Sequence, residues 1–381
     1  MNKTFEIRRA GFVNKGAAMM LITVVQKLEE TLPGSIPVIT PDHTTEFADR
    51  IRYGLWHRAE IRRYGFDLGQ VLKMLPQRIR RRYGFITDSE VDIVLDAAGF
   101  AYSDQWTANP AIDLAKRAKD WSRNGKKLIM LPQAFGPFTS PEIREAMASV
   151  CEHASLIFAR DKVSLQHLTD IAGHQDHIRL APDFTNLLDH SASGAGSDID
   201  GGVAIVPNAR MIDKNRGASS DRYLPLMMSS IEILQAAGVN PFFLIHEGEQ
   251  DRELALQIND RLQSPLKIEF PRDALAAKSI IANCDAVLAS RYHALVSALS
   301  QGIPAIGTSW SHKYEMLFDD YSCPEALISP GIEQAELQKT LHIVTDKRAR
   351  TQQAKELKTA AVKIKKDALS MWDDVLTVVN A

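Results

Sequence analysis

Short apolar runs of strand length alternate with helix-period segments along nearly all of the 381 residues, and this alternation constrains the fold more than any other feature of the chain. Runs that read as strands lie near Phe5–Phe12, Ile36–Thr40, Val91–Asp96, Lys127–Leu131, Ser155–Ala159 and Ile178–Ala181. A second set lies near Gly202–Val206, Pro241–His246, Leu266–Phe270, Ala286–Ser290 and Pro304–Thr308. Helical patterns such as Asp113–Asn124 and Val163–Ala172 fall between them. Strands and helices in this order imply parallel sheets covered on both faces. Ser191–Gly202 (SASGAGSDIDGG) has no apolar periodicity and reads as a linker. The expectation is therefore α/β: two doubly wound, Rossmann-like domains over residues 1–190 and 203–344, a linker over 191–202, and a helical segment over 345–381. Two such domains facing a cleft would hold ligands beyond the carboxyl ends of their strands.

Composition removes several classes of function. With 45% hydrophobic and 24% charged residues the chain can build cores. A net charge of −2 supplies no global field for nucleic acid. No apolar run reaches the roughly 18 residues of a membrane span, and the segment MNKTFEIRRAGFVNKG lacks a signal-peptide core. Cys151, Cys284 and Cys323 are too few and too scattered for a disulfide framework. A cytoplasmic protein is expected, and no nucleic-acid partner. One segment departs from the average: residues 50–85 carry ten Lys or Arg against two acids, interleaved with Leu55, Trp56, Tyr64, Phe66, Leu72 and Leu75. A basic amphipathic insertion of this kind either lies on an anionic membrane surface, at the inner face of the membrane, or grips an anionic ligand. It reads equally as a solvated helical hairpin over the first sheet.

The residues able to carry chemistry cluster at strand ends. In Ala289–Leu317 an apolar strand ends at Arg291-Tyr292-His293, a helix runs to about Gly302, and Pro304 opens the next strand. Arg291 and His293 then sit at a strand-to-helix turn, where free N–H groups and the helix dipole favour an anion. A guanidinium offers a planar fork to carboxylate or phosphate, and an imidazole moves protons near neutral pH. Taken alone, the pair reads as a helix cap and an interior histidine; His312-Lys313 at the same sheet edge gives the pocket reading equal weight. Asn208 and Arg210 follow the first strand of the second domain, and His246, Glu247 and Asp251 follow the second as ligand contacts or as first-turn caps. In the first domain Asn14-Lys15-Gly16 opens a helix after strand one, without being a Walker or GxGxxG sequence. Asp96, Gln133 and Asp183 lie at further strand ends. No metal-ligand spacing, no nucleophile elbow and no cofactor motif is present, so neither metal nor cofactor is expected.

Taken in order, NKGA, LDAAGFAYSDQW, LPQAFGPF, ARD with Ser164, APDF and SRYHALVSALSQGIPAIGTSWSHKY resemble the polysaccharide pyruvyl transferase family, colinearly from about Gly11 to Leu317. The resemblance implies a GT-B-like fold and transfer of the pyruvyl unit of phosphoenolpyruvate to two hydroxyls of a sugar, forming a ketal in surface or exopolysaccharide synthesis. It places the general acid at His293. The departure is LDAAGF, where the family is commonly richer in glycine with an acidic residue; this bears on the acceptor. The donor carries a carboxylate and a phosphate, for which Arg291 and Arg210 are the expected cations, with His312 or Lys313 at the phosphate. Asn14, Lys15, Asn208, Gln133 and His246 complete the expected binding set, and Asp96 or Asp183 is the candidate base for the hydroxyl of a saccharide acceptor, free or lipid-linked. Two alternatives stay open: a GT-B glycosyltransferase using a nucleotide sugar, and a non-catalytic protein binding a glycan precursor.

Overall fold

A computed structural model describes residues 3–40, 45–59, 62–63, 66–67, 72, 74–191, 199–212, 218–308 and 311–381. Contacts divide the chain into two compact units. The first comprises Met1–Val13, Met20–Phe184 and Asp367–Ala381; the second comprises Asn14–Met19 and Thr185–Lys366. Most of the expected linker, residues 192–198, lies outside the described residues.

The first unit is built on an eight-stranded sheet. Its strands are β1 (Thr4–Arg8), β2 (Ile36–Ile39), β3 (Trp56–Arg58), β6 (Phe85–Ile86), β7 (Ile93–Asp96), β8 (Lys127–Gln133), β9 (Leu156–Ala159) and β10 (Ile178–Leu180). A two-stranded antiparallel ribbon, β4 (Arg62–Arg63) and β5 (Phe66–Asp67), lies apart from it. The order is β10-β9-β8-β7-β1-β2-β3-β6, with every neighbouring pair parallel. One run of crossovers leaves β1 through β2, and the other leaves β7 through β8. The sheet therefore has its topological switch point between β1 and β7, where such folds bind ligands. Helices α1 (Lys15–Thr31), α2 (Phe47–Arg52), α3 (Gln77–Arg82), α4 (Asn109–Arg123), α5 (Pro141–His153) and α6 (Lys162–Ala172) connect the strands. The basic segment 50–85 supplies β3 and β6, so it extends the sheet to its edge rather than only covering it.

The buried strand β1 carries a charge at its centre. Glu6 is fully buried and accepts from Arg58 at 3.0 Å and from the Thr40 hydroxyl at 2.7 Å, while Arg8 pairs with it at 3.3 Å. Arg8 also lies over the Trp121 ring, 5.2 Å from its centroid. A carboxylate so placed needs these partners, because an unpaired buried charge costs several kcal/mol, of order 3–5.

The second unit holds six parallel strands in the order β13-β12-β11-β14-β15-β16. They are β11 (Val203–Val206), β12 (Pro241–Leu244), β13 (Ile268–Glu269), β14 (Ala286–Ala289), β15 (Ala305–Thr308) and β16 (Leu327–Ile328). Helices α7 (Ala218–Ala236), α8 (Glu249–Asn259), α9 (Ala274–Ala282), α10 (Tyr292–Ser300), α11 (His312–Asp320), α12 (Gln334–Thr345) and the part of α13 (Lys347–Asn380) before Asp367 accompany them; the rest of α13 belongs to the first unit. Strands such as VAIV and AVLA are apolar throughout because both faces are covered. Here the switch point lies between β11 and β14, so Asn208 and Arg291 follow the two strands that flank it. Among the described residues no helix is long and apolar enough to cross a membrane.

Candidate active site

At the second unit's switch point a buried hydroxyl chain ties the strand ends together. The Ser290 hydroxyl lies 2.7 Å from the Tyr223 hydroxyl and 2.5 Å from the Thr308 hydroxyl, and Tyr314 donates to the Ser290 carbonyl at 3.0 Å. Asn208, expected as a ligand contact, is committed to this framework. Its amide NH2 donates to the Ser290 carbonyl at 3.0 Å and its amide oxygen accepts from the Arg210 N–H at 3.0 Å.

Arg291, expected to offer an open fork, spends that fork on carboxylates. Its Nε and Nη2 donate to Asp251 at 2.9 and 2.5 Å, and Nη1 pairs with Glu247. The reason is burial: a guanidinium whose side chain is only 14% exposed must be neutralised locally. Burial pushes the Asp251 carboxyl up to about 6 and the Arg291 guanidinium down to about 10, which leaves both ionised at neutral pH. Asp251 also accepts from the Ala209 N–H at 2.9 Å, so one carboxylate fixes the loop after β11 and the arginine after β14. Arg210 is exposed.

The first turn of α1 belongs to the same cluster. Asn14 caps it, its side-chain oxygen accepting from the Ala17 N–H at 3.1 Å. Lys15 is buried, donates to the Glu247 carbonyl at 3.2 Å and lies 4.8 Å from the Phe270 ring centroid. Burial lowers its pKa to about 8. Gly16 has no space for a side chain: a Cβ there would collide with Nδ1 of His293. The imidazole of His293 thus lies directly on the α1 N-terminus while its own backbone opens α10. His246 is buried, and burial together with the Lys15, His293 and Arg291 charges drives its pKa well below the usual histidine range. It is a neutral imidazole, and its Nε2 has no hydrogen-bond partner among the described residues. His312 starts α11 after β15; Lys313 lies 5.3 Å from the Tyr292 ring centroid and 5.4 Å from that of Tyr314. Nine expected residues therefore meet around one sheet edge: Asn14, Lys15, Asn208, Arg210, His246, Arg291, His293, His312 and Lys313.

The other three lie in the first unit. Asp96 ends β7, is fully buried, and accepts from the Tyr102 hydroxyl at 2.8 Å and the Gln133 amide at 3.2 Å. Burial and the Asp96 charge raise the Tyr102 pKa well above 10, so Tyr102 stays the donor. The side-chain oxygen of Gln133 has no partner among the described residues. Arg9 holds a left-handed backbone (φ 58°) at the end of β1 and places its guanidinium 5.4 Å from the Tyr102 ring centroid. Sequence reasoning did not single out Arg9 or Tyr102; two consecutive arginines closing an apolar strand were the available signal. Asp183 is separate: it is buried in an ion pair with Arg160 at 3.0 Å.

The sequence model of the family described as polysaccharide pyruvyl transferase matches residues 14–312, more than three-quarters of the chain. The chain belongs to the polysaccharide pyruvyl transferase family. No curated protein matches it significantly. Solved structures give the fold. Anabaena Alr3699/HepE in complex with UDP and glucose aligns with a TM-score of 0.61 at 15% identity, covering 100% of both chains. UDP-GlcNAc 2-epimerase from Methanocaldococcus jannaschii aligns with a TM-score of 0.58 at 14% identity, covering 91% of this chain and 94% of that one. The S. aureus MnaA–UDP structure aligns at 0.59 and 13% identity, covering 100% and 98%. This pyruvyl transferase family member thus has a GT-B-like fold of two parallel-sheet α/β units, and the family matched makes it a transferase.

Proposed function

We propose that the protein transfers the pyruvyl unit of phosphoenolpyruvate to two hydroxyls of a saccharide, free or lipid-linked, and releases phosphate. The observation that carries this reading is the charge balance of the second unit's switch point. Four cations (Lys15, Arg210, Arg291 and Lys313) stand at this strand edge with three carboxylates (Glu247 and Asp251 on Arg291, and Asp273, whose charge reaches Lys15), leaving a surplus of one positive charge before the helix N-termini are counted. That surplus suits a small ligand bearing both a carboxylate and a phosphate. Arg291, locked by Asp251, shapes the pocket, while Lys15, Arg210 and Lys313 supply the attraction. N–H groups of the first turns of α1 and α10 add partial positive charge.

His293, packed on Gly16, is the proton donor to C3 of the enol. As that proton arrives, one sugar hydroxyl adds to C2 and gives its own proton to a base. The second hydroxyl then displaces phosphate from the same carbon, its proton leaving with the phosphate, and the ketal closes. In the first unit Arg9, Tyr102, Gln133 and Asp96 form a polar set of their own, which we read as binding the saccharide, with the side-chain oxygen of Gln133 accepting from a hydroxyl. Asp183 keeps a structural role with Arg160.

The test is direct. Phosphoenolpyruvate is expected to raise the melting temperature more than UDP does. Incubation with phosphoenolpyruvate and a panel of saccharides is expected to release phosphate and yield a pyruvyl adduct by mass spectrometry. A larger shift with UDP, and no phosphate release with any acceptor, would favour the nucleotide-sugar alternative.

A further inference from the structure

Six of the thirteen exposed large apolar side chains among the described residues fall between positions 47 and 83: Phe47, Ile51, Met74, Leu75, Ile79 and Tyr83. Such a concentration on one short stretch is not the scatter expected of a solvated surface. The stretch also holds most of the arginines of the basic segment. On α2, Phe47 and Ile51 are one turn apart and 66% and 62% exposed, and the Arg50 guanidinium lies 5.3 Å from the Phe47 ring centroid. Around α3, Leu75, Ile79 and Tyr83 follow at four-residue spacing, flanked by Arg78 and Arg82 at the same spacing. Arg80 is buried and consumed by Glu90 at 2.7 Å; Arg78, Arg81 and Arg82 are exposed, Arg81 lying 3.8 Å from the same Glu90. The described acidic side chains of positions 45–59 and 74–83 are only Glu46 and Asp49.

Topology brings the two helices to one place. The connections β2–α2–β3 and β3–α3–β6 both step outward along the sheet, and right-handed crossovers put both helices on the same face at its edge. Tyr53, just after α2, stacks on Phe12 at 5.4 Å, which anchors the inner side of α2 and leaves Phe47 and Ile51 outward.

We infer that α2 and α3 form a docking surface for an anionic lipid bilayer. Phe47, Ile51, Leu75, Ile79 and Tyr83 insert at the level of the headgroups, and Arg52, Arg78, Arg81 and Arg82 meet the lipid phosphates. Aromatic and aliphatic side chains bordered by arginine are the chemistry that recognises such an interface. These side chains are exposed, and their contacts within the fold, such as Arg52 over the Tyr53 ring, are made at the surface. The inference uses the proposed function only for its purpose, which is to bring a lipid-carried acceptor within reach; its test does not depend on turnover.

The full chain is mixed at low salt with vesicles of phosphatidylcholine alone or with phosphatidylglycerol added, and the bound fraction is measured by sedimentation. Binding is expected only with phosphatidylglycerol, and 0.5 M salt should release much of it. Arg78→Glu/Arg82→Glu should weaken binding by about tenfold or more, and Phe47→Ser/Ile51→Ser should also weaken it. Val362→Ser/Leu369→Ser, which alters exposed apolar residues of α13, should leave it unchanged. Circular dichroism should show all three variants folded. Failure to bind phosphatidylglycerol vesicles, capture of RNA in their place, or retention by both test variants would overturn the assignment. Loss on charge reversal alone would overturn the insertion of Phe47 and Ile51. A parent that binds vesicles yet releases no phosphate from phosphoenolpyruvate would refute the proposed reaction and leave the docking surface standing.

Discussion

Gly16→Ala bears chiefly on the contact between the first turn of α1 and the proposed proton donor, with the side-chain oxygen of the cap Asn14 next nearest at 3.0 Å. The added Cβ would stand closer to Nδ1 of His293 than real Cβ atoms come to any neighbour, whereas ordinary contact begins near 3.4 Å. The imidazole must retreat by about 1 Å, a displacement that can cost about 10²-fold in rate when the group moves a proton in the transition state. That factor corresponds to about 2.7 kcal/mol of lost transition-state stabilisation. Stability responds less, because two effects oppose each other. Alanine improves helix propensity over glycine by up to about 1 kcal/mol, and overpacking costs about 1–3 kcal/mol, toward the lower end here because His293 is only half-buried. A net loss near 1 kcal/mol would lower Tm by about 2–4 °C in a unit of this size. The assay is phosphate release from phosphoenolpyruvate with a saturating acceptor, alongside thermal unfolding. A folded Gly16→Ala protein with kcat within threefold of the parent would refute the placement of His293 at the reacting carbon.

Three further outcomes follow from the same geometry. His293→Gln should lose about 10²-fold or more in kcat, while phosphoenolpyruvate still raises Tm, since proton donation acts only in the transition state; loss of the Tm shift would make His293 a binding group instead. Arg291→Lys should lower the urea midpoint, because one ammonium cannot span Asp251 and Glu247 together; a cost of roughly 1–3 kcal/mol is expected, and an unchanged midpoint would contradict the carboxylate clamp. Lys15 titrates near pH 8 in the folded chain, so donor affinity measured by calorimetry should fall as pH rises through 8, and Lys15→Ala should flatten that profile. Stability without ligand should move the opposite way: the unfolded lysine keeps its proton up to about 10.4, so between those values unfolding binds protons and the folded state gains with rising pH.

Eleven strands were legible as short apolar runs, most of them buried on both faces, with the edge strands β10 and β13 partly exposed. Those missed, β3, β4, β5, β6 and β16, are two or three residues long, too short to show a period. β3 is Trp56-His57-Arg58, whose arginine is buried only because Glu6 awaits it on β1, and β6 and β16 contribute two residues each. Pairing between positions 52 residues apart leaves no local pattern to read. The same applies to the site. That Arg291, His293 and His312-Lys313 share a sheet edge was readable from strand-to-helix turns, because β14 and β15 are adjacent in both sequence and sheet. That Arg291 is held by Asp251 was not, because the carboxylate arrives from α8 on the other side of the switch point. His246 looked like a possible contact, yet only its burial beside three cationic residues makes it a neutral imidazole.

Residues Met371, Trp372, Val375 and Val379 of α13 are almost wholly buried in the first unit's core, with Phe5, Ile7, Met20 and Leu21. Trp372 donates to the Thr31 hydroxyl at 3.2 Å, and Lys127 donates to the Val378 carbonyl at 2.6 Å. During synthesis the sheet strands of this unit are all present once Leu180 has emerged, but the helix that closes one of its faces emerges close to two hundred residues later. At ordinary translation rates of about 5–20 residues per second the open face waits on the order of 10–40 s. For that interval the nascent chain presents the apolar surface left by a missing tryptophan, methionine and two valines, and chaperones or aggregation compete for it. A ribosome that stops before residue 367 releases a chain in which that face never closes.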